Sequence, residues 1–343
     1  MQTADEMSSS SDDAPAGADP YAAAYGAGDP RAEAQHVIGD EWFARVLEPS
    51  PPAVNDGVWF ADDPVNAGGP RPIVSPVPNA DLTWDEWLRD RPDAAEWAAA
   101  RWLASYQRLP SIPSTFAMTR LAVQRLVVYV ISPARQRANG KIALRWTLGG
   151  IGTPFFGDDE QVRIVGRHLV RQQRGTAEVQ PISSLAAAAE FVLGGDPDVA
   201  RAEGFDVPPV GDVTEQLPID DRASRFLSNW YGFATSVLET LRAEWPPDET
   251  SRVQLWAEHF DVAFNGLTGA RATFGASPGD AAVEEPYLYV LPTDFDVVAT
   301  RADWNAKSFR GAILPFSGFA AAPEQRDAAL TFLRRYRDAL ADV

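Results

Sequence analysis

Residues 253–291 read VQLWAEHFDVAFNGLTGARATFGASPGDAAVEEPYLYVL, and this stretch decides the fold class. Three segments are rich in aromatic and branched residues, with Gly, Pro, Asn and Asp between them. That is the pattern of short strands joined by turns. Strands are predicted over 253–264, 271–274 and 287–291. In the first, strict alternation puts Trp256, Phe260, Val262 and Phe264 on one face and Ala257, His259, Asp261 and Ala263 on the other. Glu258 falls on the apolar face, which points to a sheet edge or a bulge there.

Upstream, a helix is predicted from Asp220 to about Trp245, with Phe226, Trp230, Phe233, Val237, Leu241 and Trp245 in one stripe. Pro246 and Pro247 end it. Further upstream, 161–165 and 168–172 read as a hairpin around Gly166 and Arg167. Residues 141–147 alternate, with Ile142, Leu144 and Trp146 opposite Lys141, Ala143 and Arg145. Between these strands, residues 149–159 (GGIGTPFFGDD) read as a loop. A helix starting at Ser114 or Thr115 runs to about Ile131, its end marked by Pro133 and Gly140. Ser183 or Ser184 caps another helix through Leu193, and residues 194–218 form a surface loop.

Downstream, residues 313–316 give a weaker strand, and a last helix after Pro323 turns Ala329, Phe332, Leu333, Tyr336 and Leu340 inward. The order is helices, strands, helix, strands, helix, with the strands in hairpin-like groups. The fold class is therefore α+β: a largely antiparallel sheet packed by several amphipathic helices. No internal repeat has a convincing period.

The N-terminal third differs. Residues 1–35 are Ala, Ser, Asp, Gly and Pro with almost nothing large and apolar, so a disordered tail is expected. Residues 36–110 are read as a Pro- and Trp-rich arm with short helices packed on the body, which spans 111–343. The Trp residues at 84, 87, 97 and 102 recur at helical spacing, which suits packing.

Composition removes several functions. The formal charge is −18, which disfavours nucleic acid and anionic membrane surfaces. Only Lys141 and Lys307 are lysines; the other basic residues are Arg. Without cysteine there is no disulfide, thiolate metal site or cysteine nucleophile. The N-terminus MQTADEMSSSSDD lacks a basic stretch followed by an apolar one, so a cytoplasmic protein is expected.

Residues 139–159 (NGKIALRWTLGGIGTPFFGDD), 255–280 and 284–292 resemble a set of uncharacterised actinobacterial proteins. They are also distantly similar to a bacterial domain-of-unknown-function family. The matching motifs are Gly140-Lys141-Ile142, Gly157-Asp158, Phe260-Asp261-Val262-Ala263 and Tyr287-Leu288-Tyr289, and the resemblance covers about 114–343. It implies one continuous body and carries no activity.

The chemistry must then be sought residue by residue. No phosphate loop, nucleophile elbow or zinc-protease motif is present, and the histidines are His36, His168 and His259. His259 and Asp261, two apart on one strand, pair an imidazole with a carboxylate, as a general base with its orienting partner or as two metal ligands. A His–Asp surface pair on a half-exposed sheet is the plainer reading. Lys141 and Arg145 on a neighbouring strand would complete a mixed-charge cleft for a small anionic or zwitterionic ligand, with ordinary ion pairing as the alternative. Asp158 and Asp280 end two turn loops and offer oxygen ligands for a hard cation, although such residues also serve as plain turn formers. The sequence names no cofactor and leaves oligomeric state open. It favours a protein that binds a small molecule or a protein partner through a polar sheet face. A hydrolase-like or metal-assisted enzyme built on His259 and Asp261 is the alternative, and a structural or assembly component a third.

Overall fold

The computed structural model describes residues 108–341, apart from 141, 148–149, 154–155, 157–159, 174–175, 203–206, 243, 247–248 and 252. The tail and arm expected over 1–110 lie outside the described residues except for 108–110.

The chain folds as α+β, with two antiparallel five-stranded sheets. Helix α1 (Phe116–Leu126) continues through a π-helical turn (Val127–Ile131) into α2 (Ser132–Asn139), so Pro133 does not end it. Proline has no N–H to give the carbonyl four residues back. Here the Tyr129 carbonyl instead accepts from Asp198 N–H at 3.0 Å, and the helix runs on to Gly140 in the left-handed region.

The first sheet is a meander of β1 (Arg145–Thr147), β2 (Gly150–Gly152), β3 (Gln161–Val165), β4 (His168–Gln173) and β5 (Thr176–Pro181), each paired with the next. The predicted hairpin at Gly166 is present, with Val165 opposite His168. The expected loop 149–159 contains β2, a strand of two glycines. A Cβ on Gly150 would stand 1.7 Å from the Ile164 carbonyl oxygen, so the close pairing with β3 requires glycine. Helix α3 (Leu185–Leu193) follows, and Ser184 Oγ accepts from Ala187 N–H as its N-cap.

Helix α4 (Asp221–Arg242) is the axis of the molecule. The predicted stripe is buried, but Leu227, Tyr231, Ala234 and Leu238 on its other faces are buried too. Burial on so many faces means that the helix is packed on nearly every side. It contacts α1, both sheets and the last helix.

The second sheet comprises β6 (Gln254–Trp256), β7 (Asp261–Thr268), β8 (Ala270–Ser277), β9 (Tyr287–Pro292) and β10 (Ala312–Pro315), again a meander. A short helix α5 (Phe295–Val298) precedes β10, and α6 (Gln325–Ala341) closes the fold. The one long strand expected over 253–264 is instead a hairpin: β6, a turn at 257–260, then β7. The two sheets meet where Leu144 and Leu255 exchange backbone hydrogen bonds of 2.7 and 2.9 Å beside β1 and within β6. Each half therefore runs helix, five-strand meander, helix, and the first strands of the two meanders abut. Among the described residues no helix is long and apolar enough to cross a membrane.

Candidate functional site

In the second sheet, Val262, Phe264, Phe274, Ala276, Leu288 and Val290 point into the main core beneath α4 and α6. Alternation sends Asp261, Gly275, Ser277, Tyr287 and Tyr289 to the opposite face. There Tyr287 and Tyr289 pack with Ala263, Val283, Phe309 and Ile313.

Asp261 opens β7 at the floor of this face and is 9% exposed. Its Oδ2 accepts a hydrogen bond from the Tyr289 hydroxyl. Its Oδ1 is buried and has no hydrogen-bond donor. Burial pushes the Asp261 carboxyl above the usual carboxylate range, against the opposing pull of His259, the Tyr289 hydroxyl and its own backbone N–H, which makes no full hydrogen bond to Oδ1. Burial and the Asp261 charge push the Tyr289 phenol well up, so this hydroxyl is a proton donor and not a base. Tyr289 reaches Asp261 across Gly275: a Cβ there would lie 2.3 Å from Tyr289 Cζ and 2.4 Å from its oxygen.

The turn before Asp261 is unusual. Phe260 has φ 53°, the left-handed region that glycine and asparagine favour, and it is the one non-glycine residue there among those described. Such a conformation costs about 1–2 kcal/mol. Phe260 N–H bonds the Trp256 carbonyl at 2.7 Å, and the Tyr231 hydroxyl on α4 donates to the Phe260 carbonyl at 2.6 Å. Gln124 Nε2 on α1 donates to the Glu258 carbonyl at 3.4 Å. Glu258 itself is buried, and His259 stands exposed at the tip.

A second layer lies at the β8–β9 connection. Tyr287 donates to Asp280 Oδ2 at 2.5 Å, and Asp280 Oδ1 accepts from Ala282 and Val283 N–H at 2.7 and 2.8 Å. Burial and these bonds raise the Tyr287 phenol. Arg120 Nη1 on α1 donates to the Pro278 and Glu284 carbonyls at 3.4 and 3.2 Å and fixes the loop. Both Asp280 oxygens are thus engaged in shaping a turn. Asp158 and Lys141 lie outside the described residues. Among the described residues, no three His, Asp or Glu side chains gather as a metal ion would need.

The strand carrying Arg145 does neighbour β6, through the Leu144–Leu255 pair. Arg145 borders a cavity of about 20 Å³ at the seam of the sheets, with Trp146, Thr235, Glu239, Leu255 and Val262. That volume holds a single water molecule. Asp261 lies two strands from β1, at the start of β7 and beside Tyr289. Tyr231 and Gly275 were not singled out from the sequence. Their signals were a phenol amid an apolar helix stripe and a glycine inside a strand, which marks a close approach.

The cluster thus combines a buried carboxylate with one unused oxygen, three tyrosines around it and a strained turn at its edge. When the chain is compared with known proteins, no family model, no curated protein and no solved structure matches it.

Proposed function

We propose that the protein is a non-catalytic binding protein that takes a ligand on the outer face of its second sheet, with Asp261 as the polar anchor. One observation carries this reading: Asp261 Oδ1 is buried without a donor. An unpaired buried acceptor costs about 1–3 kcal/mol, more when charged, and a fold keeps such a group where something else satisfies it. A ligand N–H or O–H supplies the missing bond once the packing over the buried Tyr287 and Tyr289 opens. The ligand is a small molecule or a segment of a partner protein.

The enzymatic alternative draws on the charge of His259 acting on the Asp261 carboxyl. The Tyr289 hydroxyl already bonds Asp261 as a third polar group; the reading would need, beyond that, a concave site around the pair.

A ligand-observed NMR screen of the full chain against a library of small polar compounds tests the binding reading. Hits that vanish in both Asp261→Asn and Tyr289→Phe, with the circular dichroism spectrum unchanged, are expected. Hits indifferent to both substitutions would place binding elsewhere and overturn it.

A further inference from the structure

We infer that the group received by Asp261 is an organic cation, an alkylammonium or guanidinium head, admitted when the turn of residues 257–260 opens; this rests on the binding reading above.

The chemistry of the acceptor comes first. Asp261 is nine-tenths buried, at 9% exposure, and its Oδ1 has no donor. The surrounding phenols have spent their protons: Tyr289 on Asp261 Oδ2, Tyr287 on Asp280 and Tyr231 on the Phe260 carbonyl. The phenols therefore offer Oδ1 no further proton, and besides them Asp261's own N–H and the His259 charge act on the carboxyl.

The carboxylate itself sets the sign of the donor. Around it, the His259 charge acts on Asp261, and Asp280 holds the Tyr287 hydroxyl. Arg120 acts on Asp280, Glu284, Tyr231 and Tyr287, and its Nη1 is held by loop carbonyls. The Asp261 carboxylate, with one oxygen open, itself favours a cationic donor over an anion.

An organic cation suits the donor set better than a metal ion. Hard cations take six or more oxygen ligands, whereas an ammonium or guanidinium head needs one carboxylate and gains from aromatic faces. Tyr289 bonds the carboxylate, and the Tyr287 ring lies next to it with centroids 6.2 Å apart and planes at 56°; both rings are buried and become available only when the site opens.

The route lies through the turn. It is strained at Phe260, carries exposed His259 at its tip, and is tied down by Tyr231 and Gln124. Strain of this kind persists where surrounding structure enforces it, and is released when those ties open.

The cation is either free or the side chain of a Lys or Arg on a partner, and the test separates these sources. Titrate the full chain by calorimetry and thermal shift with propylammonium, methylguanidinium, neutral acetamide and urea, and an acetylated tetrapeptide with a central Arg, at matched ionic strength. The cations are expected to bind wild type at least tenfold more tightly than Asp261→Asn or Tyr289→Phe, both checked for folding by their own melting curves. A peptide more than tenfold tighter than methylguanidinium marks a protein partner; equal affinity marks a small molecule. Tyr231→Phe, which loosens the turn, should raise the association rate, and an unchanged rate overturns the gate. If acetamide or urea binds through Asp261 and the cations do not, the cation inference falls while the binding reading stands. If nothing binds in an Asp261-dependent way, both fall.

Discussion

The two halves of the molecule solve the same architectural problem with different polar chemistry. Each lays a five-stranded meander against helices, and each buries polar side chains in its sheet. In the first half Gln161, Arg163 and Thr153 serve one another, while Thr147 Oγ1 is buried without a partner. Gln161 Nε2 donates to the Thr153 carbonyl at 3.1 Å, Gln161 Oε1 accepts from Arg163 Nη1 at 3.1 Å, and Thr153 Oγ1 accepts from Val162 N–H at 3.0 Å. In the second half Asp261 gives one oxygen to Tyr289 and keeps the other unsatisfied. The contrast lies between one linked trio and one carboxylate with an oxygen left over: a linked network specifies a core, and an unpaired acceptor marks a place where the fold gave up stability.

The sharpest way to break this comparison is to open the closed network. Arg163 is fully buried, and Arg163→Ala leaves Gln161 Oε1 without that donor and a void where the side chain stood. The expected loss is about 3 kcal/mol in urea unfolding. A loss below about 0.5 kcal/mol, within the range of ordinary surface substitutions, would mean that the first half's network contributes little, and the contrast with Asp261 would dissolve.

A smaller effect is expected at Gly275. An added methyl meets the Tyr289 ring at 2.3–2.6 Å, so Gly275→Ala must push the ring away from Asp261. Overpacking of this kind costs about 1–3 kcal/mol. The same substitution should abolish any binding that depends on Asp261. Retained binding with full stability would show that Tyr289 does not need its position over Gly275.

The same contrast explains what the sequence could and could not show. The hairpin at Gly166 and the cap at Ser184 were legible because local chemistry specifies them: a turn glycine between alternating runs, and a hydroxyl one residue ahead of a helix. The long helix through Pro133 was not legible, because the Tyr129 carbonyl finds its donor on Asp198, far along the chain. Strand β2 was hidden because its glycines answer to Ile164 across the sheet and not to strand propensity. The turn at 257–260 was hidden because no Gly, Pro or Asn marks it; Phe260 is held left-handed by Tyr231 from another element. Asp261 was legible as a candidate, but its burial and its Tyr289 partner come from a strand 28 residues away. The repeated order of elements was masked as well, since the closing helices have 9 and 17 residues and a fixed period never develops.

The subtlest prediction concerns the charge on Asp261 itself. Its carboxyl titrates higher in the folded chain than in the unfolded one, because burial outweighs His259 and Tyr289. The native state therefore holds a proton over a pH range in which the unfolded state has lost it. Stability falls as pH rises from the unfolded carboxylate value through the raised native one, at about 1.4 kcal/mol for each unit between them. Asp261→Asn removes this titration and keeps an acceptor for Tyr289. The difference in unfolding free energy, variant minus wild type, should thus grow more positive as pH rises above the ordinary carboxylate value. Taking the difference cancels the other carboxylates, such as Glu244 held low beside Arg334 and Arg337, whose contribution runs the opposite way and is lost as pH falls. A difference that stays flat with pH would mean that the unfolded and folded chains bind the Asp261 proton equally. Burial would then be fully offset by His259, Tyr289 and the Asp261 N–H, and Asp261 would not be the place where this sheet gave up stability.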